Sequence, residues 1–364
     1  MTTIGEEFGL SLPGAALLVG LFALLAAVGG LAIGLAGSRI GARRGLLRGL
    51  TVAFAAACAA TFAPAALPLY LARIIEGAGF MLVAVSAPSL VATLAVDRDR
   101  PAAMGLWGCF MPGGIALGLL SAPLVEAFGW RVAWAACAAL LAGALALCWQ
   151  LVPRAGVVAA GERPRIGAQL RDIVAARTPL RIAGVFGVYN VVYFGIAAFL
   201  PAHLESLGTG TGAAGTAGAM AALANLSGNL SAAALMRRGV RPERLIVLGA
   251  SGMAVLGAAV FAVPVAGFSL LAAVLASAVG GLVPAACFAL LPGSVPRPAL
   301  VAPAMGLTIQ GNNAVQLCTP PVFGVLAGFG WPTLAAPLLV AGVGAAALGL
   351  GLQRAGLSGQ APPS

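Results

Sequence analysis

The sequence predicts an all-α integral membrane protein, and three observations carry that prediction. Mean hydropathy is +1.03, charged residues make up only 8% of the chain against 61% hydrophobic ones, and long apolar stretches are punctuated by arginines. A soluble globule carries roughly 25% charged residues, so a 364-residue chain with a third of that charge cannot coat itself against water. Disordered chains are poor in apolar side chains, which excludes that class as well. A spanning helix needs about 20 apolar residues, so a chain of this length holds about eleven or twelve.

Apolar stretches between polar breaks give eleven candidate spans: 12–36, 45–65, 67–93, 102–126, 131–152, 180–202, 212–236, 244–264, 267–292, 300–327 and 331–353. All 20 basic residues are arginines, and they alternate between connections. One set of connections, with the C-terminal tail, holds 18 of the 20: Arg39, Arg43, Arg44 and Arg48, then Arg98 and Arg100, then Arg154 through Arg181, Arg237 through Arg244, Arg297 and Arg354. The opposite connections hold only Arg131, and Arg73 lies inside a span. Positive residues stay on the cytoplasmic side of a bilayer. The C-terminus is therefore expected inside a cell (inner or plasma) membrane, with Met1 outside. The net charge of +10 then reports topology rather than nucleic-acid binding.

An internal repeat organises the spans. Ala103-Met104-Gly105-Leu106 recurs as Ala304-Met305-Gly306-Leu307, and Phe128-Gly129-Trp130 recurs at the same offset of 201 as Phe329-Gly330-Trp331. Spans starting at 212, 244, 267, 300 and 331 fall on the first-half spans after the same subtraction, whereas 180–202 maps to before residue 1. Two bundles of six follow, the first lacking its opening helix through an internal start codon or natural truncation, which leaves 5 + 6 spans. The expected domains are an N-terminal bundle (1–152), a basic cytoplasmic linker (153–179, with Pro153, Pro164 and Pro179) and a C-terminal bundle (180–364).

The six cysteines sit in apolar stretches without the spacing of a metal or redox pair, and one histidine, His203, builds no metal site alone. No metal and no cofactor are implied. His203, at the outer end of its span beside Pro201, reads as a membrane-interface residue.

Four local motifs carry chemistry. Between the first two spans stands Gly34-Leu-Ala-Gly-Ser38-Arg39-Ile-Gly41-Ala42-Arg43-Arg44. Gly41 permits a tight turn, and the arginines can meet helix C-terminal carbonyls. Within the third span, Arg73 and Glu76 share one face. A buried arginine costs roughly 2.5–3.5 kcal/mol on insertion scales, so it must pair or face water. Glu76 is the acid deepest in a span and the candidate for proton coupling; Arg73 is the candidate for an anionic substrate, unless the two only neutralise each other. The fourth span carries Trp107-Gly108-Cys-Phe-Met-Pro112-Gly113-Gly114, where small residues permit close helix approach and Pro112 bends the backbone. The second half supplies Tyr189, Asn190, Tyr193, Asn225, Ser227, Asn229, Gln310, Asn312, Asn313 and Gln316, then Pro320-Pro321, where a broken helix is a favoured substrate position. Trp107, Tyr189, Asn190, Tyr193, Gln310 and Asn313 join Arg73 as candidate substrate contacts. Gly108, Pro112, Gly113, Gly114, Pro320 and Pro321 are candidate hinge or packing positions.

These motifs resemble the major facilitator superfamily. Gly34, Arg39, Gly41 and Arg43 match its Gly-x-x-x-Asp-Arg-x-Gly-basic-basic gating loop, with Ser38 in the place of the acid. Arg73-Ile-Ile-Glu76-Gly77-Ala-Gly79 is similar to its Arg-x-x-Gln-Gly-x-Gly motif, and the run from Trp107 to Gly114 resembles the cyanate and nitroimidazole transporter branch. The resemblance implies two bundles rocking about a midplane site, and secondary transport of a small polar solute or organic anion with protons as the coupling ion. Facilitated diffusion, drug/proton efflux and a non-transporting receptor or scaffold are the alternatives. The expected partners are membrane lipid and a small-molecule substrate, with the chain a monomer. An intramembrane protease built on Ser251 fails because His203 falls at the opposite surface, and no phosphate-binding loop for a pump is present.

Overall fold

The computed structural model describes residues 4, 7–10, 12–96, 98–120, 127–153 and 166–354. Among the described residues the regular structure is helical throughout. In chain order the helices are α1 (Leu12–Ile40), α2 (Ala42–Thr61), α3 (Ala66–Leu94), α4 (Arg100–Trp107), α5 (Phe110–Leu120), α6 (Trp130–Leu151), α7 (Ile166–Ala176) and α8 (Thr178–Ser206). They continue as α9 (Thr211–Arg237), α10 (Pro242–Ala262), α11 (Ala266–Gly280), α12 (Leu282–Leu290), α13 (Val301–Ala327) and α14 (Ala335–Arg354). Among the described residues, helix falls on each of the eleven expected stretches, of which 121–126 lie outside the described residues, and seven stretches are long and apolar enough to cross a membrane.

Two of those stretches are broken, each for a reason written in the sequence. Proline has no N–H for the carbonyl four residues back, and its ring crowds that carbonyl. Pro112 therefore frees Gly108, and the break between α4 and α5 falls there, with the Gly108 N–H turned to Met104 and Gly105. Pro284 does the same to Gly280, where α11 gives way to α12. The break expected at Pro320-Pro321 is absent: α13 runs through both prolines to Ala327. The linker, expected only as a basic segment, contains α7, whose Gln169 and Ile173 are buried while Ile166 and Val174 are exposed.

The repeat is visible as backbone geometry. Gly129 (φ 82°) and Gly330 (φ 115°) both hold the positive φ that a side chain resists, and each leads through a tryptophan into the next helix. Gly41, with φ 88°, makes the turn between α1 and α2. Residues Ser38 and Arg39, expected in a loop, form the last turn of α1.

By contact the chain forms two compact units. Unit 1 comprises Met1–Leu90, Leu120–Ala175 and Arg297–Ala314, and thus α1, α2, α3, α6, α7 and the first half of α13. Unit 2 comprises Val91–Leu119, Ala176–Pro296 and Val315–Ser364. Each unit thus takes in helix from the other half of the sequence, and the repeated Ala-Met-Gly motif does the docking. In unit 1, a Cβ on Gly306 would come within 2.3 Å of Gly30 O on α1. In unit 2, a Cβ on Gly105 would lie 2.5 Å from the end of Met236 and 3.4 Å from Ala233 on α9. Lipid is as apolar as a leucine side chain, so helices in a bilayer associate by close van der Waals packing, which small residues allow. Unit 2 repeats the device where Gly228 on α9 meets Ala278 on α11, and where Gly342 on α14 meets Ala254 on α10.

Candidate functional site

In unit 1 the Arg73–Glu76 pair forms as its spacing predicts. Nη1 of Arg73 donates to a Glu76 carboxylate oxygen, Nε donates to the Leu18 carbonyl at 3.0 Å, and the guanidinium lies 4.9 Å from the Phe22 ring and 5.8 Å from the Trp134 ring. The two side chains are 18% and 14% exposed, so the pair is tucked between α1, α3 and α6 rather than projecting freely. Aromatic faces attract cations electrostatically, and the planar guanidinium suits such faces as well as a carboxylate. Arg73 is thereby fixed by a carbonyl, a carboxylate and two rings.

Next to this pair lies a cluster of Ile4, Leu18, Leu69, Ala72 and Trp130, with Phe8 and Trp134 packed on it. Glu7 accepts hydrogen bonds from Trp130 Nε1 and Arg131 Nη1, both at 2.7 Å, and Arg131 also donates to the Ala63 carbonyl at 3.1 Å. The Arg131 guanidinium and the Trp130 indole hold the Glu7 carboxyl below the usual carboxylate value of 4.5.

The gating-loop residues do separate things. Gly34 abuts the α13 backbone, where a Cβ would meet Ala302 O at 2.6 Å. Arg43 donates from Nε to Val152 O at 3.0 Å and from Nη2 to Trp149 O at 3.1 Å, so it satisfies the orphan carbonyls at the end of α6. Arg39 is exposed. Ser38 Oγ lies 2.8 Å from Leu35 O and 3.3 Å from Gln169 Oε1.

The amides behave differently from a set of cavity-facing ligands. Gln310 spans α13 to α1, its Oε1 accepting from Leu31 N at 3.0 Å and its Nε2 donating to Val28 O at 3.3 Å. Asn313 and Asn190 are buried, and each donates to the carbonyl four residues back, Ile309 and Phe186 respectively. Of the candidate hinge or packing glycines, Gly108 is closely packed, as is Gly105, whereas a Cβ on Gly113 or Gly114 would stand in open space among the described residues.

Unit 2 brings the aromatic candidates into one line. Trp107 stacks on Phe110 at 4.9 Å, Phe110 lies 6.4 Å from Phe288, Phe288 lies 5.2 Å from Phe186, and Tyr189 and Tyr193 follow at 6.0 Å steps. Asn225 donates to Tyr189 Oη at 3.0 Å and to Ser277 O at 3.1 Å, and Asn229 donates back to Asn225 O at 3.0 Å. Two buried polar atoms among the described residues keep no partner here: the Trp107 indole N–H and Asn229 Oδ1, the latter 2.8 Å from where a Cβ on Gly108 would stand.

His203, expected at the membrane interface, is enclosed by protein side chains. It is 1% exposed, set between Phe261 and Trp331 at 5.2 and 5.1 Å, with Nε2 lying 3.2 Å from Ser269 Oγ. Its partners come from α10, α11 and the turn before α14, too far along the chain for spacing to reveal. Gln169 and Asp172 were likewise missed, because the linker reads as charge rather than as a helix; the apolar and polar faces of 166–176 are the signal that could have found them.

Comparison with solved structures finds the same fold elsewhere. FucP in the outward conformation superposes with a TM-score of 0.79 at 15% identity, over 96% of this chain and 92% of that one. The human organic anion transporter MFSD10 (TETRAN) gives 0.72 at 15% identity over 92% and 83%. The proton:xylose symporter XylE bound to 6-bromo-6-deoxy-D-glucose gives 0.69 at 18% identity over 97% and 89%. No curated protein matches the sequence. The family model described as Major Facilitator Superfamily matches residues 1–297. With the fold of a secondary transporter and a family match over most of its length, the chain belongs to the major facilitator superfamily.

Proposed function

We propose that the protein moves a small organic anion across the inner or plasma membrane by alternating access, in symport with a proton carried on Glu76. The carrying observation is the Arg73–Glu76 pair, fixed by Leu18, Phe22 and Trp134 in an otherwise apolar helix. With Glu76 ionised the pair is neutral, and an anion gains nothing there. A proton on Glu76 leaves the Arg73 charge unbalanced but still held by the Leu18 carbonyl and the two rings. A carboxylate on the solute then takes the place of the Glu76 carboxylate at the guanidinium fork. Each ligand favours the other, which is the thermodynamic content of coupling. One of the similar structures is a fucose:proton symporter, one a proton:xylose symporter and one an organic anion transporter, which supports both halves of the reading.

Uptake into proteoliposomes tests this, with radiolabelled mono- and dicarboxylates and aldoses as probes, with and without an inward pH gradient. The expected result is carboxylate uptake that the gradient accelerates. Arg73→Ala abolishes it at unchanged protein level, whereas Glu76→Gln keeps carboxylate exchange and loses the response to the gradient. Normal uptake by Arg73→Ala removes Arg73 from the site, and equal uptake with and without a gradient makes the protein a facilitator.

A further inference from the structure

We propose that one face of α6 is a docking surface for a single apolar membrane-spanning helix of a second polypeptide, lying antiparallel to α6 as α8 lies on α14. Cys137, Gly143 and Leu147 form the centre of that face. The inference concerns a protein partner and does not rest on the transport reading above.

The internal repeat carries it, because subtracting 201 from a position on α14 gives the matching position on α6. One face is used alike in both units. On α14, Gly342 lies against Ala254 and Gly349 against Ile246, both on α10. The matching residues of α6, Leu141 and Cys148, pack on the cluster of Leu46, Leu50 and Leu90 from α2 and α3. A second face of α14 holds α8. A Cβ on Gly184 would stand 3.5 Å from Leu348, one on Gly344 3.7 Å from Val188, and one on Gly195 2.9 Å from Leu338. As the numbers on α8 rise those on α14 fall, so the two helices run antiparallel.

On α6 this second face is bare among the described residues. A Cβ on Gly143, which matches Gly344, would meet nothing within 4 Å. Leu147, which matches Leu348, is 59% exposed, and Cys137 is exposed where Leu338 is 0% exposed. In the most apolar stretch of each helix, 6% of residues are buried in α6 and 33% in α14. Lipid is as apolar as leucine, so such a contact gains by close packing rather than by leaving the bilayer. The partner's chemistry follows from α8: a β-branched residue opposite Gly143, as Val188 is opposite Gly344, and glycines opposite Leu147 and Cys137, as Gly184 and Gly195 are opposite Leu348 and Leu338. A second copy of this chain fits less well, because a two-fold axis along the membrane normal sets α6 parallel to α6. Outside the eleven apolar spans this sequence holds no further run of about 20 apolar residues to fill the place.

The test uses the full chain in proteoliposomes and, as the probe, a synthetic peptide with the α8 sequence, residues 178–206. The peptide carries a diazirine-bearing leucine in place of Val188, and peptide mass spectrometry reads where it cross-links. The expected site is α6 between Leu140 and Leu147, with the yield competed away by peptide that lacks the diazirine. Gly143→Leu fills the open space and is expected to lower the yield about tenfold, the equivalent of about 1.4 kcal/mol, while the protein's own melting temperature stays unchanged. A probe with Gly184→Leu, used on the parent protein, is expected to lose yield in the same way. Equal yields from the parent and Gly143→Leu overturn the docking surface, as do cross-links spread along all faces of α6 or confined to α14. Oxidation that joins Cys137 to Cys137 of a second copy assigns the face to a dimer and overturns the second polypeptide. So does isolated protein whose intact mass exceeds that of the 364 residues by a helix that fills the face in cis. Cross-linking needs no transported solute, so these outcomes stand whatever the uptake assay reads.

Discussion

Arg131 is the arginine that breaks the sidedness of the others, and its surroundings explain how it can. Glu7 and the Ala63 carbonyl take its donors, and the Trp130 ring lies 4.3 Å from its guanidinium. The exception to the positive-inside pattern is therefore locally neutralised. Because the Glu7 carboxyl is held below 4.5 in the folded chain, its contribution is present in full above that value and is lost as pH falls through the lower folded value. Thermal melts in detergent between pH 3 and pH 7 are expected to show an acid-side loss that Glu7→Gln lacks, the variant's melting temperature being flat where the parent's falls. A second prediction at this scale concerns Arg73. Lysine presents a compact ammonium instead of a planar fork, and it cannot serve the Leu18 carbonyl, Glu76 and two ring faces together. Arg73→Lys is expected to retain protein and lose at least about tenfold in uptake, the effect of about 1.4 kcal/mol.

At the scale of the helix, the chain's glycines and prolines decide more than its hydrophobicity does. Pro112→Ala restores an N–H to the Gly108 carbonyl, so α4 and α5 are expected to join; hydrogen exchange at residues 108–113 reads the change as increased protection. Gly306→Val forces α13 off α1 at a contact where a single Cβ already reaches 2.3 Å. Overpacking of this kind costs about 1–3 kcal/mol, measurable as a lowered melting temperature in detergent. Arg43→Ala leaves the Trp149 and Val152 carbonyls to water or lipid headgroups. Favourable charge at a helix end is worth about 0.3–1 kcal/mol, so a small loss of stability with fraying confined to the end of α6 is the expected outcome.

At the scale of the molecule, the arrangement of arginines predicts sidedness. Cysteines placed at Arg171 and Arg238 are expected to react with an impermeant maleimide only from the cytoplasm, and one placed at Glu205 only from outside. Labelling of Arg171→Cys and Arg238→Cys from opposite sides would end the two-bundle reading. Hydropathy, arginine spacing and the 201-residue repeat were enough to determine the helical membrane fold, the place of the long helices among the described residues and the Arg73–Glu76 pair, because each depends on residues near one another in sequence or on a property summed over a stretch. Tertiary structure alone decided how the amides are used, since Gln310 finds its partners on α1, 279 and 282 residues away. It likewise decided that His203 is buried among α10, α11 and Trp331, and that the linker folds into a helix tying Ser38 to Arg297. A polar side chain in a lipid-embedded protein bonds whatever polar group packing brings within reach, and packing is set by helices meeting across the fold rather than by neighbours along the chain.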